Sequence, residues 1–185
     1  MEQQMSDTLV LNADGNPLSL LPISAVNWHL SIKLIWLDKF KILENYENWV
    51  IHSPSTEMHV PSVLMAKEYI NLARHPRFSR NNVYLRDLFT CQYCGCEYDQ
   101  NEWKDLTLDH VVPRSAGGNS RWDNIVTSCM TCNVEKGNKN IRPKQMPYRP
   151  DYWELANKRS QFPLIIPHYT WINYLNWDQN LVKVA

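Results

Sequence analysis

The sequence predicts an α+β protein with a small, cysteine-stapled core in the middle of the chain. In residues 1–73, short runs with strand-like and helix-like hydrophobic spacing are mixed. In residues 74–149, two C-x2-C pairs enclose two β-rich runs, which a short helical run follows. Residues 150–185 are rich in aromatic side chains and have a helical pattern. We therefore predict an N-terminal mixed α+β segment, the stapled core and a C-terminal aromatic helical extension.

The N-terminal segment is predicted to begin with a strand and a helix. Residues 8–11 are apolar and β-favouring, and the turn formers at 12–17 would let residues 18–22 return as a partner strand. Ser24 is a residue type that caps helices, and the apolar spacing after it predicts a helix over residues 25–39. We interpret the apolar face of this helix as core rather than as a ligand site.

Two more strands and a second helix are predicted in the rest of the N-terminal segment. The strands lie at residues 41–46 and 49–52, and Pro54 and Pro61 bound a loop after them. A helical pattern then resumes over residues 63–73.

Three further helices are predicted beyond the N-terminal segment. One over residues 79–87 leads into the first cysteine pair, and a polar one over residues 153–160 follows the core. After Pro167 we predict a helix whose aromatic residues fold back onto the body of the protein as packing, with an exposed aromatic binding surface as the alternative. The residues concerned are Tyr169, Trp171, Tyr174, Leu175 and Trp177.

Composition and charge narrow the function classes. No apolar run approaches the ~20 residues that span a bilayer, and the N-terminus lacks the order of a signal peptide, so we expect a cytoplasmic protein without a membrane partner. The net charge of zero argues against indiscriminate binding to nucleic acid. However, residues 71–150 carry 12 basic and 8 acidic residues, against 4 and 8 in residues 1–70. The core therefore has the charge for a polyanionic partner.

The cysteines predict a metal site. Cys91 and Cys94 form one C-x2-C pair, and Cys129 and Cys132 form the other. Two residues between thiolates let a tight turn aim both sulfurs at one ion, so two pairs supply the four ligands of a closed zinc site. Disulfides are disfavoured without an export signal, and redox chemistry needs one such motif rather than two. We interpret the fifth thiol, Cys96, as a bystander.

An Asp-His pair stands in an apolar, strand-like run between the two cysteine pairs. Alternation puts Asp109 and His110 on opposite faces of an ideal strand, and a break near Pro113 would bring both to one site. Hydrolysis of a phosphodiester needs a base that activates water and a cation that stabilises charge on the phosphate. A neutral imidazole suits the first task, and carboxylate and amide oxygens suit Mg²⁺.

The run from Cys91 to Gly137 resembles the HNH endonuclease family, in its subgroup with two C-x2-C zinc knuckles. More loosely, the opening L-N-A-x-x-x-P-L resembles the leader of stand-alone bacterial and phage-type HNH proteins. The resemblance implies a ββα-metal fold stapled by a four-cysteine zinc site, and metal-dependent cleavage of nucleic acid. The matching motifs are C-Q-Y-C-G at 91–95, L-D-H-V-V-P-R at 108–114, G-G at 117–118, D-N at 123–124 and C-x2-C-N-x2-K-G at 129–137.

The resemblance also implies a role for each matching residue. His110 is the general base that takes a proton from water, and Asp109 binds the catalytic divalent ion, Mg²⁺ or Mn²⁺. Asn124 hydrogen-bonds across the hairpin and holds the His110 segment in register. Asn133, where many members have His, is a second ligand of the catalytic ion. A structural Zn²⁺, distinct from the catalytic ion, is held by Cys91, Cys94, Cys129 and Cys132.

Nucleic acid is the predicted partner, with double-stranded DNA as the expected substrate. For Lys136, solvation without any phosphate contact is an equal alternative. Whether two chains pair as a homodimer is left open, and a zinc-knuckle module that binds nucleic acid or protein without cutting is the alternative function. The basic residues predicted to contact phosphate are Arg114, Arg80, Arg86, Lys136 and Lys139.

Overall fold

The computed structural model describes residues 7–72, 75–99 and 103–185, which form two compact units. The first unit joins the N-terminal part of the chain, up to residue 72, to residues 160–185. The second unit comprises the described residues between 75 and 159. The predicted C-terminal extension is therefore divided, because residues 150–159 belong to the second unit and the rest to the first. Among the described residues, no helix has the length and apolar character to cross a membrane.

A four-stranded sheet organises the first unit. Its elements are β1 (Asp7–Leu11), β2 (Ala25–Asn27), helix α1 (Trp28–Trp36), β3 (Phe40–Ser53) and β4 (Thr56–Ala66). The strand order is β2-β1-β4-β3, with β1 parallel to β4 and the other neighbours antiparallel. The predicted strand at residues 8–11 is confirmed as β1.

Residues 60–66, the second half of strand β4, are covered on both faces, and this explains a wrong prediction. Val10 and Leu64 belong to the core cluster beneath α1, whereas Leu9 and Val63 belong to the cluster on the opposite face. A strand covered on both sides shows a continuous apolar run instead of alternation, so its sequence does not distinguish strand from helix. The helix predicted over residues 63–73 is wrong, because residues 63–66 complete β4.

The first helix begins later than predicted. Asn27 caps α1 by accepting a 2.9 Å hydrogen bond from the backbone N–H of Leu30. Ser24, the predicted cap, instead donates to the carbonyl of Val10 at 2.7 Å. The prediction of a helix from residue 25 is wrong because β2 occupies residues 25–27 and pairs with β1. The same pairing makes β2, rather than residues 18–22, the antiparallel partner of β1.

The hairpin of β3 and β4 replaces several predicted pieces. The strands predicted at 41–46 and 49–52 are parts of the single strand β3, whose register to β4 shifts between them. The prediction of a loop between Pro54 and Pro61 is wrong for most of its length. Only the two residues between β3 and β4 form a turn, because β4 already begins at Thr56. Pro61 lies within the ladder, opposite Asn45, where the register is irregular.

The second unit is built on a hairpin followed directly by a helix. Its elements are α2 (Arg80–Arg86), β5 (Leu106–His110), β6 (Ile125–Cys129), α3 (Met130–Lys136) and α4 (Tyr152–Arg159). Strands β5 and β6 are antiparallel, with Leu106 opposite Cys129 and His110 opposite Ile125. The order of β5, β6 and α3 is the ββα arrangement that the resemblance implied. The helices predicted at 79–87 and 153–160 are confirmed as α2 and α4.

The C-terminal part of the chain packs on the sheet of the first unit. It contains β7 (Leu164–Ile166) and β8 (Val182–Val184), which are parallel. The helix predicted after Pro167 is only a 3-10 stretch, Tyr169–Tyr174. Its packing role is confirmed for Trp171, Leu175 and Trp177, which are buried in the same cluster as Leu9. It is wrong for Tyr169, which is 51% exposed. Trp171 also donates from Nε1 to a backbone carbonyl of β4 at 2.8 Å.

Candidate functional site

Four cysteines of the second unit meet where the two C-x2-C turns face each other. The Sγ atoms of Cys91, Cys94, Cys129 and Cys132 all lie within 4.8 Å of one another. The Sγ atoms of Cys94 and Cys129 are 4.0 Å apart. Four sulfurs in a tetrahedron, each ~2.3 Å from zinc, lie about 3.8 Å apart. The cluster therefore has the size of a four-thiolate metal site.

The local backbone aims these sulfurs. Gly95 has a φ of +83°, in the left-handed region, and its N–H donates to the carbonyl of Cys91 at 2.9 Å. In the second pair, the N–H of Cys132 donates to the sulfur of Cys129 at 3.4 Å, at the first turn of α3. A tight turn therefore holds each pair.

The surroundings of two of these thiols shift their pKa values in opposite directions. Burial raises the pKa of the Cys91 thiol, but hydrogen bonds from backbone N–H groups outweigh burial and bring that pKa down to about 6. Burial and the neighbouring sulfurs raise the pKa of Cys132 far above its ordinary value. Several thiolates this close together repel one another unless a positive ion neutralises them. The donor set and its spacing fit Zn²⁺.

Asp109 is a buried residue of β5. Its side chain is 7% exposed, and Nζ of Lys136 on α3 lies 3.0 Å from Oδ2 and 3.2 Å from Oδ1. The hydroxyl of Tyr93 also donates to Oδ2, at 2.5 Å. Burial and, after it, hydrogen bonding to Asp109 raise the pKa of Tyr93 well above its ordinary value, so the phenol stays protonated and donates. The carboxylate is held from two sides.

His110 follows Asp109 on the strand and has other neighbours. Its Nε2 lies 2.9 Å from Oγ of Ser120 and 3.2 Å from Nε of Arg114. Because a guanidinium only donates, Nε2 carries the ring's lone pair. Burial lowers the pKa of His110, and the charges of Arg114 and Lys136 lower it further against the opposing effect of Asp109. The ring is therefore held as a neutral imidazole at neutral pH.

Asn124 clamps the loop between β5 and β6. Its Oδ1 accepts from the N–H of Val112 at 2.8 Å, and its Nδ2 donates to the carbonyls of Val112 and Asn119 at 3.1 and 2.9 Å. The predicted hydrogen bonds across the hairpin are therefore present. Gly118 packs under the clamp, since a Cβ there would lie 1.8 Å from the carbonyl oxygen of Val112. The clamp leaves no room for a side chain at that position.

Asn133 reaches the same face of β5 as Asp109. Its Nδ2 donates to Oγ1 of Thr107 at 3.2 Å, and Thr107 and Asp109 share a strand face because they are two residues apart. No hydrogen bond to Oδ1 of Asn133 occurs within the described part of the chain. Amide and carboxylate oxygens are ligands that Mg²⁺ and Mn²⁺ accept, so the chemistry of Asn133 and Asp109 suits such an ion, although Lys136 already lies beside the carboxylate.

Two residues predicted to bind nucleic acid are buried instead, so that prediction is wrong for both. Arg86 is 2% exposed, and its guanidinium pairs with both carboxylate oxygens of Asp87 at 2.8 and 3.0 Å. Its other N–H groups donate to backbone carbonyls of the second unit. Lys136 is also 2% exposed and binds Asp109 and the carbonyl of His110, the latter at 2.7 Å. It is neither solvated nor open to phosphate.

The other three residues predicted to bind phosphate lie on the surface. Arg114 is exposed although it contacts His110, and Arg80 and Lys139 are exposed on α2 and just after α3. Phosphate binding by these three side chains stays a prediction.

Replacing Lys136 with methionine is expected to destabilise the second unit. The substitution leaves the carboxylate of Asp109 buried without its cation, and breaking such a pair costs about 3–5 kcal/mol. Lys139→Met, on an exposed lysine three residues later, is the matched control and should change the free energy of unfolding by less than about 0.5 kcal/mol. Equal effects of the two substitutions in denaturant titrations would contradict the buried pair.

Sequence reasoning missed three residues of the site. Tyr93 stands inside the first C-x2-C pair, where the motif specifies only the spacing of the cysteines, and Ser120 stands in a polar loop without a motif. Gly118 was part of the G-G motif, but its close approach to the Asn124 clamp has no signal in a single sequence. A hydroxyl-bearing aromatic beside two metal ligands was the one clue available for Tyr93.

Two known protein-family profiles match consecutive stretches of the chain. Residues 8–74 match the HNH endonuclease-associated, N-terminal domain, and residues 91–139 match the HNH endonuclease profile. The second stretch contains the four clustered cysteines, the Asp109–His110 pair and both asparagines of the site. No curated protein and no solved structure shows a significant match to the chain.

Proposed function

Because this chain belongs to the HNH endonuclease family, we propose that it hydrolyses phosphodiester bonds of double-stranded DNA with the help of a divalent cation. The observation that carries this proposal is the setting of His110. Its Nε2 holds a lone pair, and the guanidinium of Arg114, a strong phosphate ligand by type, lies 3.2 Å from that atom. A base and a group that binds phosphate therefore stand side by side.

His110 is the proposed base. When the guanidinium of Arg114 turns from Nε2 to the phosphate, the lone pair of Nε2 is released. Nε2 then takes a proton from a water molecule while the water oxygen bonds to phosphorus. The bond from phosphorus to the leaving sugar oxygen breaks, and that oxygen takes a proton from solvent. The lowered pKa of His110 favours this step, because the imidazole is then in its basic form at neutral pH.

Arg114 is the proposed ligand of the scissile phosphate. A guanidinium has five N–H groups, and two of them point to His110 and Ser120, at 3.2 and 3.3 Å. The others form no hydrogen bond to the residues that the structure describes, and they are proposed to bind the non-bridging oxygens of a phosphate beside the base. Arg80 and Lys139, both exposed, are proposed to contact phosphates further along the backbone, so affinity should fall as salt rises.

Asp109 and Asn133 are the proposed ligands of a catalytic Mg²⁺ or Mn²⁺. When bound, such an ion stabilises the charge that develops on the phosphate and on the leaving oxygen. Lys136 fixes the spacing of the site, because one ammonium group binds both the Asp109 carboxylate and the His110 carbonyl. Asn124 keeps the loop that carries Arg114 against the end of β5.

The structural ion is proposed to be Zn²⁺, held by the four clustered cysteines. This ion takes no part in the reaction. Its proposed task is to tie the turn before β5 to the start of α3, so that the strand carrying His110 and the helix carrying Asn133 keep their positions.

A module that binds nucleic acid without cutting it is the second candidate function. The observation that favours it is the engagement of Asp109, whose oxygens already accept hydrogen bonds from Tyr93 and Lys136. A carboxylate held in this way is less available to a divalent cation. Salt-dependent binding to DNA, with no product under Mg²⁺, Mn²⁺, Co²⁺ or Ni²⁺, would favour this function over cleavage.

Conversion of supercoiled plasmid tests the proposed activity. The zinc-loaded full chain is expected to produce nicked or linear DNA when Mg²⁺ or Mn²⁺ is added, and none when a chelator holds the free divalent ion while zinc stays bound to the protein. Activity that is equal with and without added ion would contradict the metal dependence. The absence of product under every ion tested would contradict the nuclease function itself.

A further inference from the structure

A cavity of about 310 Å³ opens in the second unit beside the His110 site. We propose that it binds one unpaired nucleotide of the substrate, next to the phosphate that is cut. This inference deepens the proposed nuclease function and rests on it. The cavity is lined by Phe78, Ser120, Arg121, Trp122, Asp123 and Arg149.

One wall of the cavity is aromatic. It consists of the exposed ring of Phe78 and the buried ring of Trp122. Phe78 is 39% exposed and meets the ring of Trp122 edge-on, with ring centroids 5.4 Å apart. Trp122 is buried, packs with Val83, and has the guanidinium of Arg86 5.7 Å from its ring centroid. The wall is therefore rigid, and its exposed ring offers a surface on which a planar base can stack.

The cavity also carries charges suited to a sugar-phosphate backbone. Arg121 and Arg149 are both exposed, and neither guanidinium forms an ion pair within the described residues. Asp123, the third charged residue of the lining, is exposed as well. Two cations against one anion favour a phosphodiester, which carries a single charge. The carboxylate opposes a small, multiply charged anion, so free phosphate is a poorer ligand than a nucleotide with a base to stack.

The position of the cavity links it to the cleavage site. Ser120 lines the cavity, and its Oγ lies 2.9 Å from Nε2 of His110. One side chain therefore separates the proposed base from the cavity. A nucleotide in the cavity is therefore proposed to flank the bond that is cut.

Stacking on Phe78 requires a base that has left the duplex. In a continuous duplex both faces of each base are covered by neighbouring base pairs, whereas an unpaired base exposes a face to an aromatic side chain. The combination of an exposed aromatic ring with unpaired arginines is typical of sites for single-stranded nucleic acid. The structure therefore favours duplex substrates with a bulged, mismatched or flipped nucleotide over uniform duplex.

Binding of a fluorescent base tests this inference without any cleavage. The probes are a DNA duplex with one bulged 2-aminopurine and the same duplex with that base paired, mixed with zinc-loaded full chain without added divalent ion. We expect about tenfold tighter binding of the bulged probe, with quenching of its fluorescence by stacking. Phe78→Ala should remove both the preference and the quenching, and Phe78→Trp should retain them.

The control is Trp103→Ala, which removes another exposed aromatic side chain of the same unit outside the cavity lining. It should leave the preference for the bulged probe unchanged, and zinc content and melting temperature verify that each variant is folded. Equal binding of the two probes, or a preference that survives in Phe78→Ala, would overturn the inference and leave a protein segment as the alternative occupant. A preference without plasmid cleavage would support the nucleotide site and contradict only the nuclease function.

Discussion

Replacing His110 with alanine is expected to lower the single-turnover rate of DNA cleavage by about 10³-fold, within the range that general bases contribute. The substitution removes the lone pair at Nε2 that faces Arg114, so no group at that position takes the proton from the attacking water. The side chain is only partly buried, at the end of β5, so the fold should be kept. The rate is measured with enzyme in excess over a labelled duplex.

The matched control for this substitution is His75→Ala, on an exposed histidine of the same unit. It should cleave at the rate of the unmodified chain, and both variants should retain their zinc. The cleavage rate of the unmodified chain should also rise with pH through the lowered pKa of His110 and then level off, because only the neutral ring accepts a proton. Cleavage by His110→Ala at the unmodified rate would contradict the assignment of the base.

Replacing Cys129 with serine is expected to release the structural zinc and unfold the second unit. Four-thiolate zinc sites contribute about 10 kcal/mol or more of binding free energy, which small folds use for stability. Cys129 ends β6 and directly precedes α3, so losing its sulfur removes the tie at the point where hairpin and helix meet. Zinc content by elemental analysis and the secondary-structure signal in circular dichroism measure the effect.

Cys96 provides the matched control for the zinc site. It is exposed, lies two residues after Cys94, and is outside the cluster of four sulfurs. Cys96→Ser should therefore retain one zinc per chain and the melting temperature of the unmodified protein. Loss of zinc from Cys96→Ser, or a folded and zinc-free Cys129→Ser, would contradict the four-cysteine site.

The stapled core was predictable because its signals are local. The spacing of Cys91 and Cys94 dictates a tight turn, and the left-handed Gly95 is placed directly after it. The hairpin strands lie in sequence order with α3 directly behind them, so the ββα order needed no long-range pairing rule. The Asn124 clamp is predictable only through the family motif, because its partners Val112 and Asn119 have no pattern of their own.

The sheet of the first unit was harder to predict because its central strands are covered on both faces. Val63 and Leu64 stand in an apolar run that has a helical pattern in sequence. In the structure, however, the two side chains belong to opposite core clusters. What decides between strand and helix is β1, which pairs with β4 from more than fifty residues away along the chain. A local pattern does not contain that information.

Charge patterning alone predicted phosphate as the partner of two basic residues that instead pair with buried carboxylates. Arg86 is followed by Asp87, and the buried pair they form looks in sequence like any surface pair. Lys136 finds its partner Asp109 on β5, at a sequence distance where only the fold brings them together. Counting basic residues predicts the sign of a surface, whereas burial decides which of them reach solvent.

The most direct measurement of the central claim compares zinc-loaded unmodified protein with zinc-loaded His110→Ala on supercoiled plasmid. Both are sampled over time with Mg²⁺ or Mn²⁺ and with the free divalent ion chelated. Cut DNA is expected in one condition alone, the unmodified protein with the added ion. Intact plasmid in all four conditions, or equal cutting by the two proteins, would contradict it.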